Sequence, residues 1–370
     1  MPKNLVVCCD GTNNEFEENR TNVVKLCFAM VRDPARQLVY YHPGLGTMAA
    51  PGFASKLAAW FARTMGSAFG YGVKDDIRDI YDFIMNHYEP GDRLFLFGFS
   101  RGAYTVRAVT SLLHLYGLTM RGNESLTRYL VRMLWAIRDL SDARKPKYFQ
   151  LAADFKEALA DSTCKPHFLG VYDTVSSVGW FTSPVALPYT AGIPDVAIAR
   201  HAVALDERRA FFRTNLIRSE KGRDVLEVWF PGVHSDVGGG YPEAQSGLAK
   251  IALEWMAGEA RKAGLLLDEP KLATMLGRDG GGYVPPNPGA DRHESLTWKW
   301  WWAEYVPKRR WNGKRWTWHI YNFSRRSYPA TTVVHDAAWQ RGEVYAATLP
   351  KGAVKLSDFQ RSPPAPPPTP

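Results

Sequence analysis

Long apolar runs are missing from this chain. No uninterrupted stretch reaches the roughly eighteen residues that a bilayer-crossing helix needs, which argues against a helical membrane span. Cysteine is scarce too. Cys8 and Cys9 are adjacent on an apparent strand, and Cys27 and Cys164 lie on other elements with no Cys-x-x-Cys pair. That pattern excludes a disulfide framework and a cysteine zinc site, and it fits a reducing compartment. No cluster stands at metal-ligand spacing, since His234-Ser235-Asp236 offers too few side chains. Gly238-Gly239-Gly240 is not preceded by the residues of a phosphate-binding P-loop, so neither a metal nor another cofactor is expected. No repeat of solenoid period occurs. Acidic residues are outnumbered, 37 Asp and Glu against 46 Lys and Arg, and the net charge of +9 suits an anionic partner such as a phospholipid surface or nucleic acid.

The apolar content is ample: 45% of the 370 residues are hydrophobic and 13% aromatic, which excludes a largely disordered chain. Met1-Pro2-Lys3 leads directly into a strand whose apolar run of about six residues is too short for a secretory signal. A protein that is cytoplasmic when made, exported if at all by a route that reads no N-terminal signal, is the expectation.

Strands and helices alternate from the outset, and this predicts a mostly parallel α/β sheet flanked by helices. Strands are expected at Leu5–Cys9, Leu38–Tyr41, Leu94–Phe97, Phe168–Tyr172 and Val225–Phe230. Helices are expected at Thr21–Val31, Val73–Tyr88, Ala103–Leu115, Glu124–Leu140, Tyr148–Ala160, Asp195–Asn215 and Gly247–Gly264. The division expected is a catalytic core over residues 1–267, a Trp- and Arg-rich extension over 268–361 packed on it, and a Pro-rich tail over 362–370. Within the core, residues 51–72 place Phe53, Leu57, Trp60, Phe61 and Met65 at helical spacing before three glycines, a pattern suited to a lid, a membrane-contacting insertion or a helix packed on the body.

The strand at Leu94–Phe97 ends in Gly98-Phe99-Ser100-Arg101-Gly102 and a helix follows. Strand, Gly-x-Ser-x-Gly turn and helix together make a nucleophile elbow, which holds the serine hydroxyl out at the strand's carboxyl edge and at a helix start that favours negative charge. A hydroxyl needs a base to take its proton, and the base needs an acid to fix its tautomer. His234 is the expected base, because it follows a strand and lies in a glycine-rich loop. Asp173 is the expected acid, at the end of the preceding Phe168–Tyr172 strand. Asp236 competes with it, although two residues from His234 it suits support of the loop. His201 competes as base, within the expected Asp195–Asn215 helix where histidine is more often structural. Two donors must meet the oxyanion. The Arg101 backbone N–H is one by elbow geometry, and the loop after the first strand offers Gly11 or Thr12 as the other, with Asp10 turned inwards to hold it.

These residues carry a resemblance. Cys9-Asp10-Gly11-Thr12-Asn13-Asn14, Gly44-Leu45-Gly46-Thr47, Tyr88-Glu89-Pro90-Gly91-Asp92, Gly98-Phe99-Ser100-Arg101-Gly102-Ala103-Tyr104, Val171-Tyr172-Asp173-Thr174-Val175, His201 with Asp206-Glu207-Arg208-Arg209, and Phe230 to Tyr241 stand in the order of a bacterial family. The chain resembles the α/β-hydrolase domains that include the first class of type VI secretion lipase effectors, over residues 5 to about 265. The resemblance implies a phospholipase with Ser100 as nucleophile, Asp173 as acid and His234 as base. It also implies a phospholipid or other acyl-ester substrate, peripheral contact with a membrane surface, delivery by a type VI system, and a secretion carrier or immunity protein as partner. Large members carry a separate membrane-binding module, and here only the aromatic, basic C-terminal stretch stands in that position.

Two other readings compete. The same triad would serve a soluble ester, thioester or peptide. A binding protein on a hydrolase scaffold would instead use the seven tryptophans between Trp298 and Trp318 and their interleaved cations. No recognised nucleic-acid motif accompanies that cluster, so nucleic acid is not an expected partner.

Overall fold

The computed structural model describes residues 2–11, 19–44, 72–140, 144–175, 179–180, 183–184, 186–218, 222–311 and 316–361. Thr12, nearly all of the 51–72 insertion and the 362–370 tail lie outside the described residues.

The chain runs β1 (Asn4–Cys9), α1 (Asn22–Phe28), β2 (Gln37–His42), α2 (Val73–His87), β3 (Arg93–Phe99), α3 (Arg101–Tyr116), α4 (Glu124–Asp139), α5 (Lys145–Leu159), β4 (Pro166–Tyr172), β5 (Ile198–Ala204), β6 (Asp224–Phe230), α6 (His234–Gly238), α7 (Gly247–Lys262), α8 (Glu269–Met275), α9 (Trp298–Tyr305), β7 (Thr332–Val334) and β8 (Ala353–Lys355). These strands form one sheet in the order β8-β7-β6-β5-β4-β3-β1-β2, and every pairing in it is parallel. Among the described residues, three short antiparallel pairs lie outside it, one of them Lys308–Trp311 with Trp316–His319.

Successive side chains of a strand face opposite ways, so β1 and β3 each divide between two cores. Leu5, Val7, Leu94 and Leu96 meet Ile77, Ile80, Tyr81 and Ile84 of α2 and the apolar side of α3. Val6, Cys8, Phe95, Phe97 and Phe99 meet α1 and α7 on the other face. A sheet covered on both faces is what a parallel arrangement requires, and it explains why these strands read as continuous apolar runs. Helix α2 begins with Asp75 and Asp76 and ends in His87, charges that complement its dipole. Glu89-Pro90 then prevents continuation and turns the chain into β3.

One expected element changes type. The pattern over 195–215 predicts a helix, yet Ile198–Ala204 is the strand β5, held between β4 and β6. Its residues Ala199 and His201 to Ala204 are all buried, so the strand lacks the two-residue alternation that would mark it. The extension beyond residue 267 also does more than lie on a core: it supplies β7 and β8, the last two strands at one end of the sheet.

Candidate active site

In an open parallel sheet the natural crevice lies beyond the strands' carboxyl ends, where the strand order reverses. Here that point falls between β1 and β3, because the chain moves from β1 outward to β2 and returns to β1's other side for β3. Asp10 and Gly11 leave the end of β1, and Ser100 leaves the end of β3.

Ser100 has φ 58° and ψ −117°, a left-handed backbone that a serine adopts only under constraint. The constraint comes from both sides. A Cβ on Gly98 would lie 2.7 Å from the Ala103 backbone, and a Cβ on Gly102 would lie 2.3 Å from the carbonyl oxygens of Cys9 and Asp10. Strand and helix therefore pass each other at a distance that only glycine permits. The Ser100 N–H donates to the Tyr172 carbonyl at 3.0 Å, tying the elbow to the end of β4, and the next residue there is Asp173.

Asp173 is fully buried and also takes a positive φ, 37°. Its Oδ2 accepts from His234 Nδ1 at 2.6 Å and from Arg326 Nη2 at 2.9 Å, while Oδ1 accepts from Arg326 Nη1 at 2.5 Å and from the Ala204 N–H at 2.9 Å. Burial pushes the carboxyl up, but the Arg326 charge and these hydrogen bonds outweigh it and hold Asp173 well below the usual carboxylate range.

His234 opens α6. Phe99 stacks on its ring with centroids 4.6 Å apart, and Phe212 meets it edge-on at 4.8 Å. Because Phe99 directly precedes Ser100, this stack holds the imidazole beside the elbow. Since a carboxylate only accepts, Nδ1 carries the proton in the bond to Asp173. Burial lowers the His234 pKa from its ordinary value, against the opposing pull of Asp173.

Two carboxylates brace the site. Asp10 is buried at the switch point: its Oδ1 accepts the Gly11 N–H at 2.7 Å, and its Oδ2 accepts from Thr21 at 2.8 Å and Tyr41 at 3.1 Å. In this conformation the Gly11 N–H thus points to Asp10. Asp236 accepts the Val233 N–H at 3.0 Å and His293 Nδ1 at 2.6 Å, so it caps α6 and anchors the loop of residue 293. The competing base, His201, is buried on β5. Its Nδ1 pairs with Glu227 at 2.7 Å and its Nε2 accepts the Thr174 N–H at 3.1 Å, which fixes the backbone just after Asp173.

Sequence reasoning assigned no role to Arg326 or Glu207. Arg326 follows β5 by more than a hundred residues and sits in Ser324-Arg325-Arg326-Ser327, where no periodicity distinguishes it. Glu207 lay in view, in the run Asp206-Glu207-Arg208-Arg209. Its carboxylate accepts the His234 N–H at 3.2 Å, the Arg209 guanidinium at 2.9 Å and the Ser295 hydroxyl at 3.0 Å. Burial raises its pKa, and Arg209 more than offsets that, leaving it at about 2.

A parallel α/β-hydrolase-like sheet with an elbow serine at its switch point, and with a carboxylate and a histidine just beyond the ends of later strands, defines the class. The chain belongs to the family described as the catalytic domain of Tle1-like phospholipase effectors of the type VI secretion system, which residues 3–259 match. That is a family of lipid-ester hydrolases. An uncharacterized protein of Saccharomyces cerevisiae, YEL023C, is 34% identical over 223 residues, covering 57% of this chain and 32% of that protein, so the chain spans about a third of that curated relative. A crystal structure of an uncharacterized protein from Pseudomonas aeruginosa matches with TM-score 0.47 and 20% identity, over 77% of this chain and 49% of that one. The structure of the Tle1 effector bound to the VgrG spike of the type VI secretion system matches with TM-score 0.38 and 18% identity, over 67% of this chain and 53% of that one.

Proposed function

We propose that this protein hydrolyses the carboxylic esters of phospholipids through Ser100, His234 and Asp173. The observation that carries the reading is the buried 2.6 Å bond from His234 Nδ1 to Asp173, with the imidazole stacked on the residue that precedes the elbow serine. With Nδ1 bound to the acid, Nε2 is the nitrogen available to take the Ser100 proton as Oγ attacks the acyl carbonyl. The tetrahedral oxyanion is met by the Arg101 backbone N–H at the start of α3. The second donor would come from the loop after β1. Gly11 would have to turn from Asp10 to serve, and Thr12 is the alternative.

Collapse of the intermediate expels the lysophospholipid alkoxide, which takes the proton from His234. Water then attacks the acyl-Ser100 ester with His234 again as base, releasing fatty acid. Asp173 stays ionised throughout, held so by Arg326 and stabilising the imidazolium that forms at each step. Family membership supports delivery by a type VI system, with a carrier and an immunity protein as partners.

The test is product analysis on diacyl phospholipid vesicles with the parent protein and Ser100→Ala. Fatty acid and lysophospholipid released by the parent, and reduced by at least about a thousandfold in the variant, is the expected result. Equal release by both proteins overturns the nucleophile. Labelling of Ser100 by an active-site phosphonate without lipid cleavage transfers the same triad to a soluble ester or thioester.

A further inference from the structure

Helix α9 is amphipathic with its apolar face turned outwards. Trp298, Trp301, Trp302 and Tyr305 recur at i, i+3, i+4 and i+7, the spacing of a stripe that faces a core. Yet they are 72, 53, 41 and 60% exposed. The other side of the helix anchors it in the protein, while Trp301 and Tyr305 of the stripe also meet Phe323 edge-on. Ala303 and Glu304 are fully buried, and Glu304 accepts the N–H groups of Ala210 at 2.6 Å and Phe323 at 3.2 Å. Trp300 meets Phe212 edge-on at 5.7 Å. In the hairpin strand that follows, and just beyond it, Trp318 and Ile320 are 64 and 50% exposed.

We propose that this face docks the protein on an anionic phospholipid surface; the inference rests on the phospholipase reading and names the surface from which that substrate is taken. Three observations select this occupant. The exposed stripe is built of Trp and Tyr, whose rings have an apolar body and a polar edge and settle where hydrocarbon meets headgroups. The charge is complementary. Between Trp298 and His319 the sequence carries Lys299, Lys308, Arg309, Arg310, Lys314 and Arg315 against the single acid Glu304, and Glu304 is buried beneath the helix. Lys308 is buried too and donates to the Val306 carbonyl, and the excess of basic over acidic residues along this stretch of sequence favours anionic over neutral lipid. Third, the face is continuous with the candidate site. Trp300 touches Phe212, and Phe212 touches the His234 ring, so two aromatic rings join α9 to the histidine.

The experiment uses the full chain carrying Ser100→Ala, so that vesicles stay intact, with and without the combined substitutions Trp298→Ser, Trp301→Ser, Trp302→Ser and Tyr305→Ser. Cosedimentation with phosphatidylglycerol vesicles is expected to need about tenfold more lipid, or more, when the four rings are gone. The thermal midpoint serves as the fold control. As a second measurement that needs no surface variant, brominated phosphatidylglycerol should quench tryptophan fluorescence of the protein with α9 intact. Undiminished sedimentation of the four-residue variant overturns the proposal, as does equal binding to pure phosphatidylcholine. Absence of quenching together with a dimer that the substitutions dissolve assigns the face to a second copy instead. If α9-dependent binding is seen but the Ser100 protein releases no fatty acid, the docking surface stands and the phospholipase reading falls.

Discussion

Asp173 is fully buried, and Arg326 supplies the charge that lets it stay an anion there. Removing one partner of such a pair strands the other, so Arg326→Met should cost about 3 to 5 kcal/mol, read as a lowered midpoint in urea. Asp173→Asn should keep the fold but lose the Nδ1 tautomer, with a fall in turnover of about a thousandfold or more on any ester the enzyme takes. The pH dependence has a definite sign. Burial foremost lowers the His234 pKa, so the neutral base survives into more acidic solution than an exposed histidine, and the acid limb of kcat/KM should lie below about 6.5. Glu207 works on stability instead. Its folded pKa of about 2 lies below the ordinary glutamate value of 4.5, so its contribution is present above 4.5 and lost as pH falls towards 2. That shift corresponds to something on the order of 3 kcal/mol, and Glu207→Gln should flatten the acid limb of a stability-against-pH curve. Ser100, Asp173 and His234 were legible as site candidates because each follows an apolar run that ends in polar residues. Arg326 and Glu304 were not, since a single charged residue in an irregular segment carries no sign of what buries it.

At the scale of elements, the elbow depends on two glycines that have different neighbours. Gly102→Ala would drive a Cβ into the carbonyls that end β1, separating α3 from the Asp10 loop, and should reduce activity more than it reduces the thermal midpoint. Parallel measurement of both quantities checks this, and a variant with full activity would count against the close packing at the switch point. The strands on either side of the elbow were readable because Leu, Val and Phe dominate them. Strand β5 was not. Its Ala-rich sequence and the charged run after it imitate a helix with a solvated face, whereas the run folds back on itself, Glu207 accepting from Arg208 and Arg209. Tertiary pairing with β4 and β6 overrides that local signal.

At the scale of the whole molecule, composition located the aromatic extension but not its part in the sheet. A three-residue strand such as β7, or β8 after it, lies below the length at which a pattern can be recognised. A chain cut after residue 267 would lose both strands, helix α9 and Arg326 together. It should fail to give a soluble protein with a cooperative melt, and restoring residues 268–361 should recover it. A cooperative, soluble 1–267 fragment would show instead that the core is independent of the extension.

The Asp173–Arg326 pair joins residues 153 positions apart, and this has a bearing on biosynthesis. A ribosome finishes Ser100, Asp173 and His234 long before it adds the guanidinium that settles the acid. Until then, burying the Asp173 carboxylate would leave it without its counter-charge, which opposes folding around it. The arrangement of Ser100, Asp173 and His234 therefore settles only after translation has passed residue 326.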